Sequence, residues 1–152
     1  MALWFFAHRR ATAAADGLLA EHGLNRTQFR ALFFTGRLPG LTVGQLIDIL
    51  GLTQQAVSRA LGQLIDQGLI EQQSGRADRR QRHLSLSAAG TALQAEVVDR
   101  QAAVIQEAMD KVGPAPAQGY IATLEAMLGI DERALVDRMY PDRAGDRSAA
   151  AE

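Results

Sequence analysis

Four arginines and one aspartate lie among the nine positions 74 to 82, Ser-Gly-Arg-Ala-Asp-Arg-Arg-Gln-Arg, in a chain of 152 residues with a formal net charge of −1. Guanidinium groups concentrated in an otherwise slightly acidic chain suit the phosphate backbone or the minor groove of DNA. Upstream, Gln54, Gln55, Ser58, Arg59, Gly62 and Gln63 fall on one side of an amphipathic stretch. Amides, a hydroxyl and a guanidinium are the groups that pair with base edges and phosphates. A plainer reading stands beside each feature. A hairpin tip is often charged for solubility alone, and a polar helix face is often merely solvated. Solvated faces usually carry Glu/Lys pairs at i, i+4. None occurs between 54 and 65, which favours a contact face.

The elements that must position these groups follow from periodicity and stop signals. Val57, Ala60, Leu61 and Leu64 recur at i, i+3, i+4, i+7, predicting a helix over 54–66 with Thr53 as its cap and Gly68 as its end. Leu69-Ile70-Glu71-Gln72 begins a strand, and His83-Leu84-Ser85-Leu86 alternates as its return. Before this helix, Thr42 and Gln45 fit a capping box. They open a short helix with Leu46, Ile49 and Leu50 on its apolar side, ended by Gly51. A short helix, a Gly-containing turn and a second helix is helix-turn-helix spacing.

Flanking segments read as support. Asn25 caps an expected helix over 26–35, with Phe29, Leu32 and Phe33 in register and Gly36 as its stop. Residues 2–22 read as one Ala-rich helix closed by Gly23. Its aromatics Trp4, Phe5 and Phe6 lie at the chain end, where fraying is the rule unless the segment docks. That favours a partner-subunit surface over docking on the chain's own core. Ser87 is expected to cap a long helix reaching about Asp110, with Leu93, Val97, Val104 and Ile105 on one side. Gly113-Pro114 breaks it. A further helix spans 115–128, and Asp131 caps a last one ending at Tyr140-Pro141. Residues 142–152 are polar and Ala-rich and read as a disordered tail.

Bulk composition narrows the function classes. Hydrophobic residues make up 47% of the chain, enough for a core. Lys111 is the only lysine, so nearly all the basic groups are Arg, which bind phosphate and guanine bidentately. Genomic composition bias explains Arg and Ala richness equally well. There is no Cys, which excludes disulfides, thiolate metal sites and a thiol redox switch. No apolar run approaches the roughly 18 residues of a transmembrane helix. The short apolar start has its charges on the wrong side for a signal peptide. A soluble cytoplasmic protein is expected, with no membrane association. No Cys–His pair, HExxH, P-loop or GxSxG is present, so an enzyme is not expected.

The order of parts resembles the multiple antibiotic resistance regulator (MarR) family over about residues 3 to 128. The resemblance is carried by Gln45-Leu46 through Leu50-Gly51-Leu52, Val57-Ser58-Arg59 and Leu64-Ile65-Asp66-Gln67-Gly68-Leu69-Ile70. It continues in Asp78-Arg79-Arg80 and in Leu84-Ser85-Leu86-Ser87 with Gly90. Glu21-His22-Gly23-Leu24 and Gln28-Phe29 add to it. It implies a mainly α fold with a small β-hairpin wing. A single domain would span 1–141, with a winged helix-turn-helix at about 25–87 between dimerisation helices at about 2–22 and 88–140.

It also implies a sequence-specific, homodimeric repressor of transcription that binds a pseudo-palindromic double-stranded operator. Such regulators are often released by a small aromatic effector. Carried over by position, Gln54, Gln55, Ser58 and Arg59 would contact DNA from the recognition helix. Asp78 would organise the wing by pairing with a neighbouring Arg. Arg80 would be the wing's DNA contact, and Arg79 and Arg82 phosphate contacts or the pairing partner. A winged module that binds another protein is the alternative, distinguished by the absence of steep salt dependence in DNA binding.

The chain departs from the family pattern at three points. Lacking Cys, it has no thiol switch. His8, His22 and His83 are far apart in sequence; on one helix, His8 and His22 would stand about 21 Å apart, too far to share a metal within a subunit. A dimer could bring them together, but no metal or cofactor is expected. Ile65 stands where the family often has a charge, and either packs on the long helix or is exposed.

Overall fold

A computed structural model describes residues 1–74 and 82–141. Among these residues the order is α1 (Ala2–Ala13), α2 (Asp16–Glu21), α3 (Arg26–Arg37), α4 (Val43–Leu50), α5 (Gln54–Asp66), β1 (Ile70–Ser74), β2 (Arg82–Leu86), α6 (Ala88–Val112), α7 (Pro114–Ala126) and α8 (Ile130–Met139). The chain divides into two compact units, Met1–Ile105 and a second from Gln106 onward. No described helix is long and apolar enough to cross a membrane.

The first unit is a winged helix-turn-helix. Thr42 closes the expected capping box on α4: its Oγ1 accepts from the Gln45 amide and Gln45 Oε1 accepts from the Thr42 amide at 2.9 Å. Gly51 ends α4 at φ +60, a left-handed conformation that a Cβ disfavours. Thr53 Oγ1 then accepts from the Ala56 amide at 3.3 Å and starts α5. Val57, Ala60, Leu61 and Leu64 are all buried, as the stripe requires. Burying a Val or Leu contributes about 1.5–3 kcal/mol each. That sum outweighs any single surface interaction and fixes which face of α5 looks outward.

The hairpin pairs antiparallel in the register Ile70↔Leu86, Gln72↔Leu84 and Ser74↔Arg82. A third short segment joins it through the Thr42↔His83 bridge, with the Leu84 amide donating to the Leu41 carbonyl at 2.8 Å. The hairpin is thereby tied to the entrance of α4. Ser87 caps α6, its Oγ accepting from the Gly90 amide at 3.0 Å. Gly90 is buried, and a Cβ there would overlap the Leu69 carbonyl oxygen. The wing's base and α6 pack backbone to backbone at this point.

Several expectations are corrected. Residues 2–22 form two helices. The break falls at Ala14-Ala15, because the bend buries Ala15 with Leu18 and Leu19 and brings Asp16 to Arg26. Thr12 Oγ1 also bonds back to the His8 and Arg9 carbonyls just before the bend. His8 and His22 accordingly lie on different helices or their caps. Gly36 does not stop α3, which continues to Arg37. Its missing Cβ makes room instead for the Gln94 side chain of α6, which donates to the Leu32 and Phe33 carbonyls at 3.1 and 2.9 Å. In the second unit, Gly129 occupies the N-cap of α8, and Asp131 sits inside its first turn, where a carboxylate meets the positive end of the helix.

Candidate nucleic-acid interface

The sequence-predicted contacts separate into a described group and a group beyond it. Gln54, Gln55, Ser58 and Arg59 are all exposed on α5. No side-chain hydrogen bond or ion pair engages these four among the described residues. Because Val57 and Ala60 are locked into the core, the four project from a rigid helix in fixed order. Unspent donors and acceptors on a fixed helix are what base-edge readout needs. On the wing, Arg82 begins β2 and is exposed, with Nη1 donating to Gln72 Oε1 of β1 at 3.3 Å. Asp78, Arg79 and Arg80 lie outside the described residues.

Between α4, α5 and the strands opens a cleft of about 700 Å³, walled by Thr42, Gln45, Ser58, Ile65, Gln72 and Arg82 among others. Ser58 and Arg82, from the two elements expected to touch DNA, face the same space. Ile65 is half-buried on this wall, which settles where it lies: its apolar side chain lines the cleft.

Gln63, which the sequence places on the same side of α5, is tied within the chain. Its Nε2 donates to the Gly23 carbonyl at 2.8 Å and its Oε1 accepts from Gln28 Nε2. The sequence of α5 alone carries no sign of this tie, because the partners lie 35 and 40 residues upstream. Gln28, the other side chain in this tie, is legible in the sequence only as a helix cap. The spacing Asn25-x-x-Gln28 is a capping-box signal, and both halves of the box are present. His83 is likewise occupied, with Nδ1 2.9 Å from the Gly40 carbonyl oxygen.

These features define a winged helix-turn-helix with a polar, outward-facing second helix. Comparison with known proteins extends the assignment. A MarR family model matches residues 22–81. PetP, an HTH-type transcriptional regulator of Rhodobacter capsulatus, is 43% identical over 124 residues, 82% of this chain and 75% of that protein. A MarR-family transcriptional regulator from Silicibacter pomeroyi superposes with a TM-score of 0.69 at 26% identity, over 83% of this chain and 85% of that one. MepR of S. aureus, solved in complex with DNA, shares the fold at a TM-score of 0.66 and 20% identity, over 82% of this chain and 93% of that one. The chain belongs to the MarR family of helix-turn-helix transcription regulators.

Proposed function

We propose that this regulator is a homodimeric repressor that binds a pseudo-palindromic double-stranded operator and is released by a small aromatic effector. The observation that carries the DNA-binding part is the row Gln54, Gln55, Ser58 and Arg59, exposed and, among the described residues, untied on a helix whose other face is buried. In this reading α5 enters the major groove and these four side chains meet base edges and phosphates. Asp78 organises the wing tip, Arg80 reaches the minor groove, and Arg79 and Arg82 hold phosphates. MepR's solved DNA complex supports the reading through the shared fold.

Dimerisation is supported by apolar surface that the single chain leaves uncovered. In α1, Trp4, Phe5 and Phe6 are 50%, 58% and 54% exposed. In the second unit, α7 and α8 bury no residue, and Tyr120, Met127 and Ile130 are exposed. A two-fold dimer would present two copies of α5 to half-sites about 10 base pairs apart. The effector reading rests on the cleft: a small aromatic acid lodged against Ser58 and Arg82 would occupy groups that the operator needs. The test is binding to duplexes selected from a random DNA pool. Arg59→Ala and Arg80→Ala should each weaken binding by about tenfold or more, as loss of about 1–3 kcal/mol per contact implies. Unchanged binding by both variants would overturn the site assignment.

A further inference from the structure

Three glutamine side chains join α5 to the corner between α2 and α3, and their hydrogen bonds run in one direction. The Asn25 amide donates to Gln28 Oε1 at 2.7 Å. Gln28 Nε2 donates to Gln63 Oε1, and Gln63 Nε2 donates to the Gly23 carbonyl at 2.8 Å. The circuit thus begins and ends on the same corner and passes through one side chain of α5. One turn further along the helix, Gln67 Nε2 donates to the His22 carbonyl at 3.2 Å. Gln28 is only 6% exposed, so it cannot reach a groove.

We infer that Gln28 and Gln63, supported by Gln67, are positioning residues that set the angle of α5 for reading DNA. Apolar packing along Val57, Ala60, Leu61 and Leu64 fixes which face is buried. It is tolerant of small rotations and slides, because dispersion and area burial are weakly directional. Hydrogen bonds are directional. Gln63 stands four and five residues beyond Arg59 and Ser58, so a clamp on Gln63 controls how far the reading face swings about the helix axis. The bound amides also explain the residue type. A Glu at position 63 could accept from Gln28 but could not donate to Gly23, and would face that carbonyl oxygen with a negative charge. A Met would leave both the Gln28 amide and the Gly23 carbonyl without this partner.

The inference rests on the DNA-binding reading above, and one experiment separates the two. The wild-type chain is used to select a duplex from a random pool. Affinity for that duplex and for a scrambled duplex of equal length is then measured, well below each variant's melting temperature. The variants are Gln63→Met, Gln63→Glu, Gln28→Met, the Gln28→Met/Gln63→Met double and the milder, exposed Gln67→Ala. Expected is a roughly tenfold fall in the selected-to-scrambled ratio for either single Met variant, with scrambled-duplex affinity held within about twofold. The double variant should lose no more than either single, because the circuit acts as a unit. Gln67→Ala should lose about threefold.

A ratio unchanged in folded Gln63→Met and Gln63→Glu overturns the clamp. So does a Gln63 effect without a Gln28 effect, since that pattern marks Gln63 as a direct contact. If Gln63 variants do not fold, an unchanged ratio in Gln67→Ala overturns it. A wild type with no preference for its selected duplex would instead sink the DNA-binding reading itself.

Discussion

The same substitution should have opposite effects at two glycines because their surroundings differ. At Gly90 a Cβ would overlap the Leu69 carbonyl oxygen, and backbone cannot yield as a side-chain tip can. Gly90→Ala should therefore lower stability by about 2 kcal/mol or more, as overpacking at a tight contact does. At Gly62, in the interior of α5, nothing among the described residues outside the helix's own neighbouring backbone lies within 4 Å of where a Cβ would stand. Gly62→Ala should raise stability by about 0.5–1 kcal/mol through helix propensity. Thermal melts of the two variants check both signs at once. Two stabilising changes would mean that α6 does not meet the wing's base at Gly90. The Gly62 variant also carries a functional readout, since this glycine lines the cleft beside Ser58.

At the scale of elements, α2 and α3 are tied by the Asp16–Arg26 pair, with N···O 2.6 Å and both side chains nearly half exposed. The hydrogen bond from Arg26 holds the Asp16 carboxyl below its ordinary value. A depressed carboxyl contributes stability above its unfolded value and loses it as pH falls through the folded one. Solvent screening keeps the contribution small, under about 1 kcal/mol. Arg26→Ala should thus cost a few tenths of a kcal/mol at neutral pH, and the difference should vanish in acid below the ordinary carboxylate range. Denaturant melts along that pH series would refute the pairing if the gap stayed constant.

This scale also shows what the sequence made legible. The caps Thr42, Thr53 and Ser87 and the stops Gly51 and Gly68 are local signals, and α4, α5 and the start of α6 form where they point. The bend at Ala14-Ala15 was hidden because tertiary burial of Ala15 and the reach of Asp16 to Arg26 decide it. Gly36 was misread as a stop for the same reason: its role is set by Gln94, 58 positions on. The polar face of α5 was legible from its composition. The withdrawal of Gln63 from it was not, because its partners are remote in sequence.

For the whole molecule, the proposed dimer would cover the exposed aromatics of α1 and pair two copies of α5. Trp4→Ala with Phe6→Ala should shift sedimentation from dimer toward monomer and make operator binding depend more steeply on protein concentration. A double variant that sediments as wild type would remove α1 from the interface. The most direct test of the central claim is a salt titration of binding to a selected duplex, for wild type and Arg59→Ala. If the wing Arg residues grip phosphates as proposed, log affinity falls linearly and steeply with log salt, with a slope of about −0.9 per phosphate neutralised. A base-reading Arg59 predicts that its loss abolishes most of the preference for the selected over a scrambled duplex. Salt-insensitive binding, or a preference unchanged without Arg59, would contradict the account.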